Sequence, residues 1–211
     1  MHKCIPMFRE REDLFLEAVR NYVIALVGAM ETFYRDLFVH FYAEKPDVVS
    51  EIISQLRPKG RHPSLVHERF TAAEVASVVL SFQRLEEIDA AISPLIEANS
   101  YFQAITKFSI VCGVPSRSPN IGHIRLSAEW KHQLAELLEL RHRYVHDANY
   151  VCEMRREFIA EAESMMLALG QLTSFMLGAQ EEKMPEANIV AFLLIEDLIA
   201  EDWVVCDEPK D

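Results

Sequence analysis

Apolar residues recur at helical spacing along most of the chain. From about Arg11 to Tyr42, Leu14, Ala18, Tyr22, Leu26, Met30, Phe33, Leu37 and Phe41 follow one another at steps of three and four. That spacing places them on one face of a helix. Val19, Val23, Val27, Tyr34 and Phe38 widen the stripe, which predicts a helix buried on more than one side. Pro46 marks the end of this neighbourhood, and Asp47 is a candidate cap for a short helix over Val48–Leu56.

Arg57-Pro58-Lys59-Gly60-Arg61-His62-Pro63 interrupts the pattern, because Pro and Gly break helices. Thr71-Ala72-Ala73-Glu74 has the spacing of a capping box. It predicts a helix through Val75, Val78, Val79, Phe82, Leu85 and Ile88. Pro94 opens a further expected helix through Leu95, Ile96, Phe102, Ile105 and Ile110, stopped by Gly113-Val114-Pro115. Ser116 to Leu126 reads as a polar loop. Ser127 is a candidate cap for a helix carrying Trp130, Leu134, Leu137, Leu138 and Val145, which Asp147-Ala148-Asn149 interrupts or bends. A long helix is expected from about Tyr150 to Leu177, with Phe158, Met165, Leu169, Leu172 and Met176 inward and Gly178 as its C′ residue. A short apolar helix, Ala187 to Ile199, is expected to dock on the body.

The pattern therefore predicts an all-α multi-helix bundle. Its expected organisation is a helical domain over residues 11–180 and an acidic extension over 181–211. Half of the residues are hydrophobic and only six are glycine, which suits a helical core. The net charge is −12, but residues 181–211 hold ten acids and two bases, a local charge of −8. The body is only mildly acidic. That argues against broad, sequence-independent RNA affinity, which calls for a basic surface, and leaves room for a small site of local positive charge.

Residues 1–13 contain Lys3, Arg9, Glu10, Arg11, Glu12 and Asp13, so no export signal is expected. The apolar runs Val23–Met30 and Ile189–Ile195 are far shorter than the ~20 residues of a membrane span. A cytoplasmic location follows as an expectation. Cys4, Cys112, Cys152 and Cys206 form no C-x-x-C pair, and they read as free thiols in a reducing compartment.

The segment richest in chemistry is Glu139-Leu140-Arg141-His142-Arg143-Tyr144-Val145-His146-Asp147. An arginine, a polar residue, three further residues and a histidine resemble the R-x4-H signature of the HEPN superfamily. The long first helix, with Glu31 inside Met30-Glu31-Thr32-Phe33-Tyr34-Arg35-Asp36-Leu37, resembles the opening helix of RiboL-PSP-type and related HEPN domains. The resemblance spans about Leu14 to Leu177. It implies an all-α fold that often dimerises, and either a metal-independent endoribonuclease of a toxin–antitoxin or antiviral system or a non-catalytic interaction module. One HEPN subgroup extends the motif to R-x4-H-x-Y. Here that position is Ala148, with Tyr150 two residues on, which argues against that subgroup.

The residue types suit the implied reaction. Metal-free RNA cleavage needs a base for the 2′-hydroxyl proton and an acid for the leaving oxygen, and histidine serves either role near neutrality. A guanidinium fork stabilises the charge that gathers on phosphorus-bound oxygens. Arg141, His146 and His142 are thus the candidate catalytic residues. Glu31, Arg143, Asp147 and Tyr150 are candidate supports, Glu31 through a buried ion pair with Arg141. Arg57, Lys59 and Arg61 are weaker candidates for phosphate contact. On an ideal helix a five-residue step separates Arg141 from His146 by ~140°, so the two converge only if the helix ends or bends near Val145. The same cations also suit the last turn of a helix, whose dipole favours them. His142 and His146 have the i, i+4 spacing of a metal-ligand pair, but no third ligand is well spaced, so neither a metal nor a cofactor is expected. The expected partners are RNA, a second copy of the chain and a possible antitoxin or other protein.

Overall fold

The computed structural model describes residues 12–57, 65, 67–108, 110–113, 121–147, 150 and 156–181. Seven α-helices account for most of them: α1 Glu12–Tyr42, α2 Pro46–Leu56, α3 Ala72–Val79, α4 Leu85–Ile92, α5 Tyr101–Lys107, α6 Trp130–His146 and α7 Arg156–Glu181. The all-α, multi-helix class holds with one local exception. Ile110–Gly113 (β1) and Ile121–Ile124 (β2) pair antiparallel, with Ile110 opposite Ile124. Helix was expected up to Gly113 and loop from Ser116; the β-branched Ile110, Val111, Ile121 and Ile124 favour the pleated pairing instead.

The chain divides into two compact units, each made of two stretches: Met1–Ile88 with Lys131–Glu163, and Asp89–Trp130 with Ser164–Asp211. In the first, α1, α2 and α3 pack on one another. The buried seam of α1 is Val19, Val23, Val27, Met30, Tyr34, Phe38 and Tyr42. It is thus centred on the flanking valines rather than on the Leu14–Phe41 row, and Leu14 is 45% exposed. Both rows obey helical spacing, so only the packing partners choose between them. α1 ends before Pro46, at Tyr42, and Pro46 itself opens α2, because its missing N–H falls where a helix start has none to satisfy. Asp47 lies in the first turn, and Lys45 is the N-cap, without a side-chain bond.

The Thr71 capping box forms as expected: Glu74 N–H donates to Thr71 Oγ1 at 3.2 Å and Thr71 N–H to Glu74 Oε2 at 2.7 Å. The helix it opens is shorter than expected. α3 stops at Val79, a turn intervenes, and α4 restarts at Leu85. Val78 points outward, 85% exposed, while Ala73, Ala76, Ser77 and Leu80 are buried. In the turn Phe82 adopts φ 50°, left-handed backbone for a fully buried aromatic, whose ring centroid lies 5.8 Å from that of Phe38.

In the second unit Pro94 sits in a 3-10 turn, Ser93–Ile96, and α5 begins only at Tyr101 with Ser100 as its N-cap. The Tyr101 and Thr173 hydroxyls meet at 2.6 Å, both residues fully buried. Trp130 packs on Phe102 and donates to Thr106 Oγ1 at 3.1 Å. α7 runs through Gly178 to Glu181, so that glycine is a helix residue rather than a C′ stop. Met165, Leu169, Leu172 and Met176 are buried as expected. The docked helix expected over residues 187–199 lies outside the described residues. No described helix is long and apolar enough to cross a membrane.

Candidate functional site

The R-x4-H residues lie on the last turns of α6, in the first unit. α6 is oriented by its apolar face, Leu134, Leu137, Leu140 and Tyr144, all buried. Val145, expected inward, is 44% exposed, because one residue past Tyr144 turns it ~100° away from that face. At the C-terminal end the carbonyls need outside donors. Arg20 of α1 supplies one, its Nη2 donating to the Tyr144 carbonyl. The Asp147 N–H supplies another, to the Arg143 carbonyl at 2.8 Å.

Arg141 is directed inward. Its side chain is 20% exposed and that of Glu31 13%. Arg141 Nη1 donates to Gln83 Oε1 at 3.0 Å, and Nη2 stands 3.9 Å from Glu31 Oε1. Arg141 Nε and Glu31 Oε1 are both buried without a hydrogen-bond partner. Burial pushes the Glu31 carboxyl above its ordinary range. The Arg141 charge, a hydrogen bond from Gln83 and the Arg35 charge pull it back without cancelling the rise. The expected pairing of Glu31 with Arg141 is present at Nη2, with Gln83 bonded to the neighbouring Nη1.

His142 and His146 are exposed, and their rings meet at a tilt of 51° with centroids 4.5 Å apart. α6 continues through His146 and ends there, so the helix does not bend early enough to turn His146 towards Arg141. Within one chain the guanidinium faces Glu31 and Gln83 while the imidazoles face outward. Arg143 bonds Glu139 Oε1 at 2.8 Å, reaches the Tyr150 hydroxyl at 3.5 Å and lies over the Tyr150 ring. Tyr150 in turn packs edge-on against Tyr144. Asp147 is exposed and follows the helix end, its carbonyl accepting from the Tyr150 N–H at 3.2 Å. The supports therefore form two groups, Glu31 at Arg141 and Tyr150 at Arg143.

Arg57 lies apart from both. Its Nη2 donates to the Val79 carbonyl at 2.8 Å, where it satisfies the end of α3. Lys59 and Arg61 lie outside the described residues. Among the described residues no three His, Cys, Asp or Glu side chains gather as a metal-ligand group.

The residue that sequence reasoning passed over is Gln83. Its trace in the sequence is Ser81-Phe82-Gln83-Arg84, a polar interruption inside an otherwise helical pattern with Glu87 just beyond. No family model, curated protein or solved structure matches the chain.

Proposed function

We propose that the chain is a HEPN-type endoribonuclease that cleaves RNA by 2′-hydroxyl attack, with the shared site formed by two copies of the chain. The observation that carries the reading is the end of α6. Two exposed histidines lie ring against ring there, beside a guanidinium that Glu31 and Gln83 face. In this reading one histidine takes the 2′-hydroxyl proton as the 2′-oxygen bonds to phosphorus. The bond to the 5′-oxygen breaks, and a second histidine returns a proton to that oxygen. Arg141 stabilises the charge on the non-bridging oxygens. The products are a cyclic phosphate and a free 5′-hydroxyl, with no metal required. Because Arg141 and His146 diverge within one chain, a second α6 end across a two-fold axis brings imidazoles and guanidinium to one phosphate, and two-fold contacts are the commonest oligomer geometry. A toxin or antiviral effector is the biological role this chemistry fits.

A second reading has its own support. Arg141 directs both terminal nitrogens inward, to Gln83 and towards Glu31, and that favours a structural arginine in a non-catalytic interaction module. Cleavage of labelled RNA by wild type, Arg141→Ala and His146→Ala separates the two. The nuclease reading expects losses on the order of 10²–10⁴-fold in both variants, activity that survives EDTA, and a dimer in sedimentation. Equal cleavage by all three proteins, or a chain that stays monomeric at high micromolar concentration, overturns the nuclease reading of this site, and the absence of cleavage by any of them supports the interaction module.

A further inference from the structure

We infer that Gln83 is the positioning residue for Arg141, held in place by a turn that Glu87 locks. Distance decides which neighbour orients the guanidinium. Glu31 Oε1 lies 3.9 Å from Nη2 and has no hydrogen-bond partner, so it supplies charge but no direction, because hydrogen bonding has faded by ~3.5 Å. Gln83 Oε1, at 3.0 Å from Nη1, is the short directional contact. The same amide lies near enough to Glu31 to help draw its carboxyl down against burial. An amide suits this place, since its oxygen accepts from the guanidinium while its NH₂ is a donor for a carboxylate. A carboxylate at position 83 sets like charges side by side, and an apolar chain leaves both partners unanswered.

The turn that presents Gln83 is fixed from two sides. Glu87 is itself buried, 7% exposed. Its Oε2 accepts from Ser81 N–H at 2.8 Å, Ser81 O–H at 3.0 Å and Phe82 N–H at 3.3 Å. Phe82 anchors the turn in the core against Phe38, at the cost of left-handed backbone. Strained backbone of this kind persists only where its surroundings over-determine it. Here the strained turn presents Gln83, the hydrogen-bonding neighbour of Arg141. The signal was hidden in the sequence because Ser81, Gln83 and Glu87 look like solvated polar positions between two helices.

The catalytic part of this inference rests on the nuclease reading, so the test has two arms. The first reads Arg141 directly. Its Nε–H resonance, identified by its loss in Arg141→Lys, is expected to exchange with solvent at least about tenfold more slowly than that of exposed Arg84, because Nε is buried. Gln83→Met, which keeps chain length without the amide, is expected to remove most of that protection. The second arm measures cleavage: Gln83→Met lowers kcat on the order of 10- to 100-fold, the scale of a misplaced catalytic group, and leaves KM nearly unchanged. Wild-type Arg141 exchanging as fast as Arg84 overturns the inference without any variant, so misfolding of Gln83→Met does not shield it. Wild-type kcat in a folded Gln83→Met overturns it too, while leaving the nuclease reading intact. A wild type that cleaves no RNA but protects Arg141 in a Gln83-dependent way sinks the nuclease reading and supports the positioning.

Discussion

Arg141 Nη2 stands 3.9 Å from Glu31 Oε1, too far for a hydrogen bond, and the carboxyl is nearly buried beside it. Two effects compete at Glu31: burial disfavours its charge and Arg141 favours it. Burial is the larger, since the carboxyl is held above its ordinary range. The sign of the linkage follows. The unfolded chain loses the Glu31 proton first, so this group's contribution is most favourable in acid and falls as pH rises above ~4.3 towards the folded value. Urea melts of wild type and Glu31→Gln, paired across pH 4 to 7, check this. Wild type is expected to lose stability relative to the variant over that rise, and the opposite slope shows that Arg141 outweighs burial.

Phe82 combines full burial with φ 50°. Truncating it removes a core aromatic, about 3–5 kcal/mol. The backbone adds a second signature. An L-residue in left-handed backbone costs ~1–2 kcal/mol that glycine avoids. Phe82→Gly is therefore expected to be at least as stable as Phe82→Ala, reversing the usual order, in which glycine is the worse. Chemical denaturation of the two variants side by side checks it. A clearly more stable alanine variant refutes the strained turn.

The Tyr101 hydroxyl meets Thr173 Oγ1 at 2.6 Å, and Thr173 Oγ1 also lies 2.6 Å from the Leu169 carbonyl, to which it donates. Tyr101 thus donates to Thr173 in a chain of two bonds. Tyr101→Phe keeps the ring and removes the donor, at an expected cost of about 1 kcal/mol. A double-mutant cycle with Thr173→Val measures the coupling, and a coupling of zero means that the contact contributes nothing in solution.

Much of the helical organisation was legible in the sequence because its causes are local. Thr71 and Glu74 satisfy each other's backbone within three residues, and the capping box formed where the spacing placed it. α1 likewise spans almost the expected residues. Its buried seam did not follow from periodicity, because two neighbouring rows both repeat at three and four. Asp47 and Gly178 misled for a related reason: each residue type has more than one allowed place in a helix, and only the surrounding chain selects it.

The candidate site divides along the same line. The sequence by itself determined which chemistry-bearing residues share α6: Arg141, His142, Arg143 and His146 are fixed by covalent order. It also supplied Glu31 as a possible mate for Arg141. Tertiary structure alone decided that α6 runs on to His146, turning the imidazoles outward while the guanidinium faces α1. It alone brought Gln83, 58 residues away in the chain, to 3.0 Å from Arg141. A left-handed phenylalanine and a buried glutamate cannot be read from composition, because their conformations are favourable only when the rest of the core holds them. Periodicity reports what each segment prefers by itself. The meeting of Glu31, Gln83 and Arg141 depends on where three segments stop, and burial and hydrogen bonding between those segments set that.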